Sequence, residues 1–417
     1  MRILIKFFLL FLILFNILPA QTMKWDGELR VRSELDNRDF NNSTPPNYFT
    51  LLRARLGAEI SPIENLKFYF QVQDSRIFGE ERDARNNFNT VSNTKNLDLH
   101  QAYIQVDKFL VDGLTLKVGR QRLTYANERF VGGVGWNNIG RVFDGGLIRY
   151  EVDKHKLDVF LMNTAETNVV PSAAIPTEVK FVRDEGQLFS GFNFSTKYFS
   201  DHLWEIFTYH QLDKRVTVPG YNDLSRFTSG LYGKGKLSNQ LSYETDVAYQ
   251  YGWRQGKDIS AYMFGLTLSY SFERSILSSL SISLERFSGT KTSETKYKTF
   301  ELPYPTGHKF FGYMDYFINI PLHTDGKGIQ DIFARLDFKL SDNVKANIIA
   351  HNFNLSEYLD GENKVGQELD IVLNWKYNSY LNFEIGGGLF LPGKFMQKKF
   401  NSYDVSQWGY FTTMLMF

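Results

Sequence analysis

Four arginines, Arg30, Arg32, Arg53 and Arg55, stand in two pairs, each pair two residues apart, on neighbouring extended stretches. A step of two along a strand returns a side chain to the same face, so each pair points one way. A guanidinium keeps its charge at any relevant pH and offers carboxylates a planar fork. Two adjacent strands furnished in this way make a basic patch suited to acidic solutes. Glu28, Glu34 and Glu59 share those faces, and opposite charges on facing strands also knit a wall into an ionic lattice. The two readings are compatible.

A second group runs from Val118 to Tyr150: Gly119-Arg120-Gln121-Arg122, Arg129, Gly132-Gly133, Gly135-Trp136-Asn137, then Gly140-Arg141-Val142-Phe143-Asp144-Gly145. Its glycines do not make a phosphate loop, since no Gly-Lys-Ser/Thr follows and no helix begins there. Strand register places Val118 outward and Arg120 with it, at a cost of roughly 2–4 kcal/mol for arginine at a bilayer midplane. Arg120 therefore sits at a rim, or Gly119 marks a bulge that turns it inward. A third group contains His308, Lys309, Tyr313 and Asp315, where His308 either contacts a solute or packs a loop. Nothing here is catalytic: there is no His-Glu-x-x-His motif and no Gly-x-Ser-x-Gly elbow, and the seven histidines are scattered singly. With no cysteine, disulfides, thiolate metal sites and a cysteine lipid anchor are excluded. No metal or cofactor is expected.

The elements that position these residues are long strands. From Leu241 to Trp253 the odd positions are large or β-branched and the even ones small, polar or charged; after Gly256-Lys257-Asp258 the alternation resumes through Phe272. Each segment thus has one apolar and one polar wall. A soluble sandwich alternates too, but these segments far exceed the usual roughly 5–6 residues and carry Tyr and Trp near their ends. Tilted strands of about 9–11 residues with aromatic girdles are what a lipid-facing barrel requires.

The chain opens with Arg2 and Lys6, an apolar run from Phe7 to Ile17, and Leu18-Pro19-Ala20 before Gln21, the parts of a secretory signal peptide. Residues 1–20 are read as that peptide and 21–417 as one barrel domain, since no linker or composition shift divides them. Losing Arg2 and Lys6 leaves 45 basic against 46 acidic residues, so no global basic bias points to nucleic acid. Aromatic residues make up 16% of the chain, yet overall hydrophobicity is ordinary, as expected when every second residue faces lipid.

Taken in order, short turns fall near Ser61–Asn65, Asp107–Gly113, Asp153–Lys156, Ser200–His202, Ser238–Gln240, Glu273–Ser279, Ser341–Asn343 and Asn378–Tyr380. Long connections fall near Asp36–Asn47, Ser75–Asn96, Thr124–Gly140, Asn163–Gln187, Asp213–Ser225, Ser288–Gly328, Ser356–Gly366 and Pro392–Ser406, with the brief Gln255–Asp258 on the same side by parity. The alternation gives an all-β transmembrane antiparallel barrel of about eighteen strands with both termini periplasmic. Parity makes Ser288–Gly328 one long extracellular loop folded over or into the pore, because a spanning strand at Phe310–Ile320 would break the count. The last strand ends in Phe417, as outer-membrane barrels commonly do.

Gly119-Arg120-Gln121, a Gly/Trp loop and Gly140-Arg141-x-Phe143-Asp144-Gly145 resemble the alginate export family of outer-membrane proteins. Gly307-His308-Lys309-Phe310-Phe311-Gly312-Tyr313-Met314-Asp315 with Gly328-Ile329-Gln330-Asp331 is a second match, and Gln367-Glu368-Leu369-Asp370 with Gly386-Gly387-Gly388 a third. The resemblance spans Gly119 to about Gly393 and implies an eighteen-stranded barrel whose electropositive constriction conducts an anionic polysaccharide.

The expected function is a passive outer-membrane channel for anionic polysaccharide or other acidic solutes. Arg30, Arg32, Arg53, Arg55, Arg120, Arg122, Arg129, Arg141, Asp144 and Arg335 are read as pore-lining. By register, twelve inward basic residues face twelve inward acidic ones, so selectivity must come from local clustering. A general solute porin is the alternative reading; an outer-membrane hydrolase lacks its residues. Expected partners are outer-membrane lipid and lipopolysaccharide, the barrel-assembly machinery and periplasmic export components.

Overall fold

Alternating side chains commit each segment to a strand with one wet and one greasy face, and hydrocarbon demands that every backbone group be paired. In the computed structural model, which describes residues 22–78, 97–165, 186–214 and 223–417, that demand is met by a closed sheet. The expected signal peptide at 1–20 and parts of the connections at Ser75–Asn96, Asn163–Gln187 and Asp213–Ser225 lie outside the described residues.

The strands are β1 (Thr22–Asn37), β2 (Asn47–Ile63), β3 (Leu66–Phe78), β4 (Asp98–Val106), β5 (Leu114–Gln121) and β6 (Phe143–Val152). Next come β7 (His155–Ala165), β8 (Gln187–Thr196), β9 (His202–Asp213), β10 (Leu224–Lys236), β11 (Leu241–Arg254) and β12 (Lys257–Ser271). The last six are β13 (Leu277–Phe287), β14 (Ile329–Lys339), β15 (Val344–Leu359), β16 (Glu362–Lys376), β17 (Leu381–Pro392) and β18 (Ser406–Met416). All pair antiparallel with their sequence neighbours, and β1 also pairs with β18, which closes an eighteen-stranded barrel. Gly27 and Phe417 exchange backbone hydrogen bonds of 3.0 and 3.1 Å at the short-turn end, where both described chain ends lie.

On β11, Val247, Tyr249, Tyr251 and Trp253 are 41–48% exposed, whereas Asp246, Ala248 and Gln250 are at most 2% exposed. The apolar wall therefore faces outward and the polar wall lines the interior. An interior that would hold water in an open pore is here partly filled by connections from the other end. Residues 122–142, between β5 and β6, and residues 288–328, between β13 and β14, turn into the barrel and pair with each other. Val131 and Tyr304 form a parallel bridge, Gly132 donates to the Tyr304 carbonyl at 2.8 Å, and Tyr304 donates to that of Phe130 at 2.9 Å. Phe130, Phe207, Phe287, Phe300, Phe311, Phe317, Phe353 and Phe390 pack between these connections and the wall as a buried core.

The 288–328 connection contains a 3-10 turn, Gly307–Lys309, and a short helix α1, Ile320–His323, but no barrel strand, as parity required. Elsewhere the boundaries differ from expectation. The long connection expected at Ser356–Gly366 is a tight hairpin, with β15 reaching Leu359 and β16 beginning at Glu362. Asp360 and Gly361 both adopt positive φ, 50° and 79°, the Asp-Gly signature of a two-residue turn matched to sheet twist. Ser75, expected to open a loop, lies within β3 and is fully buried. The connection at Pro392–Ser406 carries a helix, α2 (Lys394–Phe400), which buries Phe395 and Met396.

Candidate functional site

The four inward arginines hold a loop. Arg30 donates to the carbonyls of Gly135 at 2.7 Å and Asn137 at 3.2 Å. Arg32 donates to that of Trp136 at 2.8 Å. Arg53 reaches Gly135 and Asn137 at 3.0 and 2.7 Å, and Arg55 reaches Ile139 at 2.9 Å. The wall of β1 and β2 thus presents guanidinium forks to successive carbonyls of an in-folded segment that has no sheet partner there. Ser75 donates to the Asn138 carbonyl at 2.7 Å, and the Asn138 amide donates back to the carbonyls of Leu52 and Arg76. Hydrogen bonds to charged groups contribute roughly 1.5–3 kcal/mol each, so the segment is firmly seated.

Carboxylates neutralise the same arginines, though not all those expected. Arg32 pairs with Glu34 at 2.8 Å, and Arg53 with Glu28 at 2.6 Å. Glu28 also lies 3.7 Å from Arg55. The ion pairs of Arg53 and Arg55 among the described residues thus run to Glu28 rather than to Glu59. All four arginines are at most 9% exposed. Their first task is to position the 122–142 segment.

Other candidates are anchors. Arg129 forks onto Glu285 of β13, at 2.9 Å for one arm, and reaches Asp246 of β11 at 3.0 Å, with Phe310 4.1 Å from its charge centre. Burial pushes its guanidinium toward neutrality, but Glu285 and Asp246 outweigh burial and hold it above its ordinary pKa. Arg141 donates to the carbonyls of Pro305 at 2.9 Å and Gly132 at 3.3 Å, joining the two in-folded segments. Burial lowers its pKa to about 10. The sequence did not single out the matching anchor of the second segment: Glu301 receives Arg226 at 2.6 Å and Arg254 at 2.7 Å. Only the inward parity of those two arginines could have hinted at it.

Arg120 and Asp144 are corrected. The β4–β5 and β5–β6 ladders run without a break through Gly119, pairing Arg120 with Ala102 and with Asp144. Arg120 therefore keeps the outward parity of Val118 and Ile148. It forks onto Asp144 at 2.8 and 2.9 Å and lies 3.7 Å from Asp98 at the long-connection rim. These two residues belong to the outer face, not the lumen. Gly119 makes no bulge; its backbone, at φ 130°, passes so close to β4 that a Cβ would lie 2.3 Å from the Ala102 carbonyl.

The family-like loop motif packs and lines at once. Trp136 lies between Arg32, 3.6 Å from its ring centroid, and the His308 ring, stacked at 3.9 Å and 8°. Tyr313 stacks on His308 in turn, at 5.1 Å. His308 Nδ1 meets Asp315 at 3.0 Å, and Lys309 stays 52% exposed with Glu128 at 3.6 Å. The backbone N–H groups of Tyr313 and Met314 donate to Asp370 and Glu368 on β16, at 3.3 and 2.9 Å. Gly312, at φ 81°, has no room for a side chain, since a Cβ would lie 2.3 Å from the Glu368 carboxylate.

Beneath these segments, toward the short-turn end, the lumen holds adjoining cavities. One of about 650 Å³ is lined by Trp136, His308, Lys309, Tyr313, Arg335, Asp337, Lys339, Lys345, Glu384 and Tyr410, among others. The next, about 390 Å³, shares Trp136, His308, Lys309 and Glu384 and adds Arg30, Arg53, Arg122 and Glu128. Arg335 lies in this lining, ion-paired with Asp337 at 2.8 Å. Arg122 also borders a third cavity, of about 430 Å³, on the side of β4 to β6. No group of three or more metal-ligating side chains occurs among the described residues.

Among known proteins, the chain matches the alginate export family over residues 22–409. No curated sequence matches it. Several solved structures share its fold. Acinetobacter baumannii OccAB4 has a TM-score of 0.62 at 12% identity, with 95% of this chain and 99% of that one covered. Pseudomonas aeruginosa OccK5 (OpdH) has a TM-score of 0.60 at 12% identity, covering 94% and 98%. Pseudomonas aeruginosa OpdK with vanillate has a TM-score of 0.57 at 10% identity, also covering 94% and 98%. At such identities these likenesses concern the fold alone. The family and the fold are those of channels rather than enzymes. With nearly the whole chain matched and the barrel closed at eighteen strands, the protein belongs to the alginate export family and is an outer-membrane channel.

Proposed function

We propose that the channel is a passive conduit for acidic solutes, acidic saccharides among them, with its short turns in the periplasm. The observation that carries this reading is the charge of the two adjoining cavities. Arg30, Arg53, Arg122, Lys309, Arg335, Lys339 and Lys345 line them against Glu128, Asp337 and Glu384. Even without Arg30 and Arg53, whose guanidinium groups are occupied by the loop carbonyls, the basic residues prevail. The balance of the whole lumen thus gives way to a local excess where the passage is narrowed. A cleft with low-dielectric walls focuses such a field, and in a pore narrower than about one Debye length screening is incomplete. Polar side chains at the short-turn mouth admit the solute, and the in-folded segments set its size.

Flux into proteoliposomes tests this. Glucuronate should enter several-fold faster than glucose, which has nearly the same size and no charge. Equal rates, or faster glucose, would leave a general diffusion porin.

A further inference from the structure

Glu128 stands at the junction of Arg122 and Lys309, and its environment is lopsided. Its Oε2 accepts the Thr306 hydroxyl at 2.6 Å and the Gly133 N–H at 3.2 Å. Among the described residues its Oε1 meets the Lys309 ammonium alone, at a loose 3.6 Å. Backbone bonds fix it from both segments: Glu128 donates to the Tyr125 carbonyl at 2.8 Å, and Thr306 donates to the Glu128 carbonyl at 3.0 Å. Gly132 packs against the side chain so closely that a Cβ there would lie 2.9 Å from Oε2. Arg122 lies flat against Gly133, whose Cβ would meet the guanidinium at 2.6–3.1 Å. Arg122 is exposed, and among the described residues no carboxylate pairs with it.

Both cations are thus exposed, Lys309 donating also to the Asn127 carbonyl at 3.1 Å, while the carboxylate between them is held from both segments. Burial opposes the charge on Glu128, but the Thr306 hydroxyl, Lys309, the Gly133 amide and Arg122 together hold its pKa below the usual carboxylate value, so it stays ionised. Arg122, Glu128 and Lys309 all line the cavity of about 390 Å³.

We propose that Glu128 is a resident counter-anion, seated between Arg122 and Lys309 where the carboxylate of a permeating solute binds, so that passage proceeds by exchange of one carboxylate for another. This rests on the acidic-solute reading and adds the site and the step. Lys309 swings from Glu128 to the incoming carboxylate, Arg122 completes the fork, and Glu128 recaptures the lysine as the solute leaves. A tethered anion keeps affinity modest and release fast, which conduction requires. It also rejects neutral solutes, which cannot displace it.

The test is the block of chloride current by sodium glucuronate in planar bilayers. Glu128→Gln keeps an oxygen for Thr306 and Gly133 and removes the charge. The half-blocking concentration should fall about fivefold, the factor for a half-exposed ion pair, and the residence time should lengthen. Lys309→Gln alone should raise that concentration by a similar factor, and the double variant should show no gain from Glu128→Gln. If Glu128→Gln does not insert, Lys309→Gln decides alone. Unchanged or weaker block in Glu128→Gln, or unchanged block in Lys309→Gln, overturns the resident anion. Anion selectivity of the unmodified channel is read in the same traces: its absence would refute the acidic-solute reading, and its presence with a failed exchange test refutes only this site.

Discussion

Trp136 and His308 stack face to face at 3.9 Å with their planes 8° apart. They come from two connections more than 170 residues apart in sequence, and Arg32 of the wall covers the other face of the indole at 3.6 Å. Wall, first segment and second segment are thus held by one column of rings, continued by Tyr313. Flat π-faces with cationic neighbours are worth roughly 0.5–1.5 kcal/mol beyond the area they bury.

Trp136→Ala removes the centre of that column. We expect both segments to loosen, with a larger and noisier single-channel conductance and a melting temperature lower by several degrees. An unchanged conductance would mean that the stack is incidental to the passage.

Arg53→Gln with Arg55→Gln tests the clamp. Three carbonyl bonds and the partners of Glu28 are lost, at roughly 1.5–3 kcal/mol per charged bond. Residues 122–142 should detach from β1 and β2, read as raised conductance and new protease sensitivity near Gly135. Selectivity lost with conductance unchanged would instead make these arginines direct solute ligands.

The seating of residues 288–328 should depend on pH through Glu301. Burial raises its pKa, but Arg226 and Arg254 overcome burial and leave it depressed. A depressed carboxylate contributes stability in full above its unfolded value of about 4.5 and loses it as pH falls through the folded value. Conductance noise should therefore rise below about pH 4.5 and not on going from pH 6 to 8. Glu301→Gln should be noisy at every pH; a variant with the same acid response as the parent would contradict this role.

Much of this was legible in the sequence because lipid imposes period two over long runs. The strand number, the outward wall and the absence of a spanning strand in residues 288–328 all follow from parity. Asp360-Gly361 is a legible turn signal too, but the polar stretch around it has the composition of a long loop and masks it. Arg120 shows how far parity carries: it placed the residue outward, and the arguments for the lumen, a bulge at Gly119 and the family-like motif, did not hold against it. What stayed hidden were partners distant in sequence. Arg53 shows its face in the sequence but not the carbonyls of Gly135 and Asn137, since backbone acceptors carry no residue signature. Glu128 and Glu301 lie in irregular segments, where no periodicity tells which way a side chain points.

Lipid exposure has a sharp test on β12. Leu266 is 44% exposed on the outer face, and its neighbour Thr267 bonds Ser283 on the inner one. Leu266→Lys should cost roughly 2–4 kcal/mol in bilayers, whereas Thr267→Lys should be tolerated. Equal tolerance would reverse the register.

The reversal potential of the unmodified channel in a potassium chloride gradient tests whether a local basic excess lined by Arg122, Lys309, Arg335 and Lys345 selects acidic solutes. The expected potential has the sign given by chloride-favoured permeation and shrinks in Arg122→Gln with Lys309→Gln. A potential of zero, or of the sign given by potassium, would contradict it.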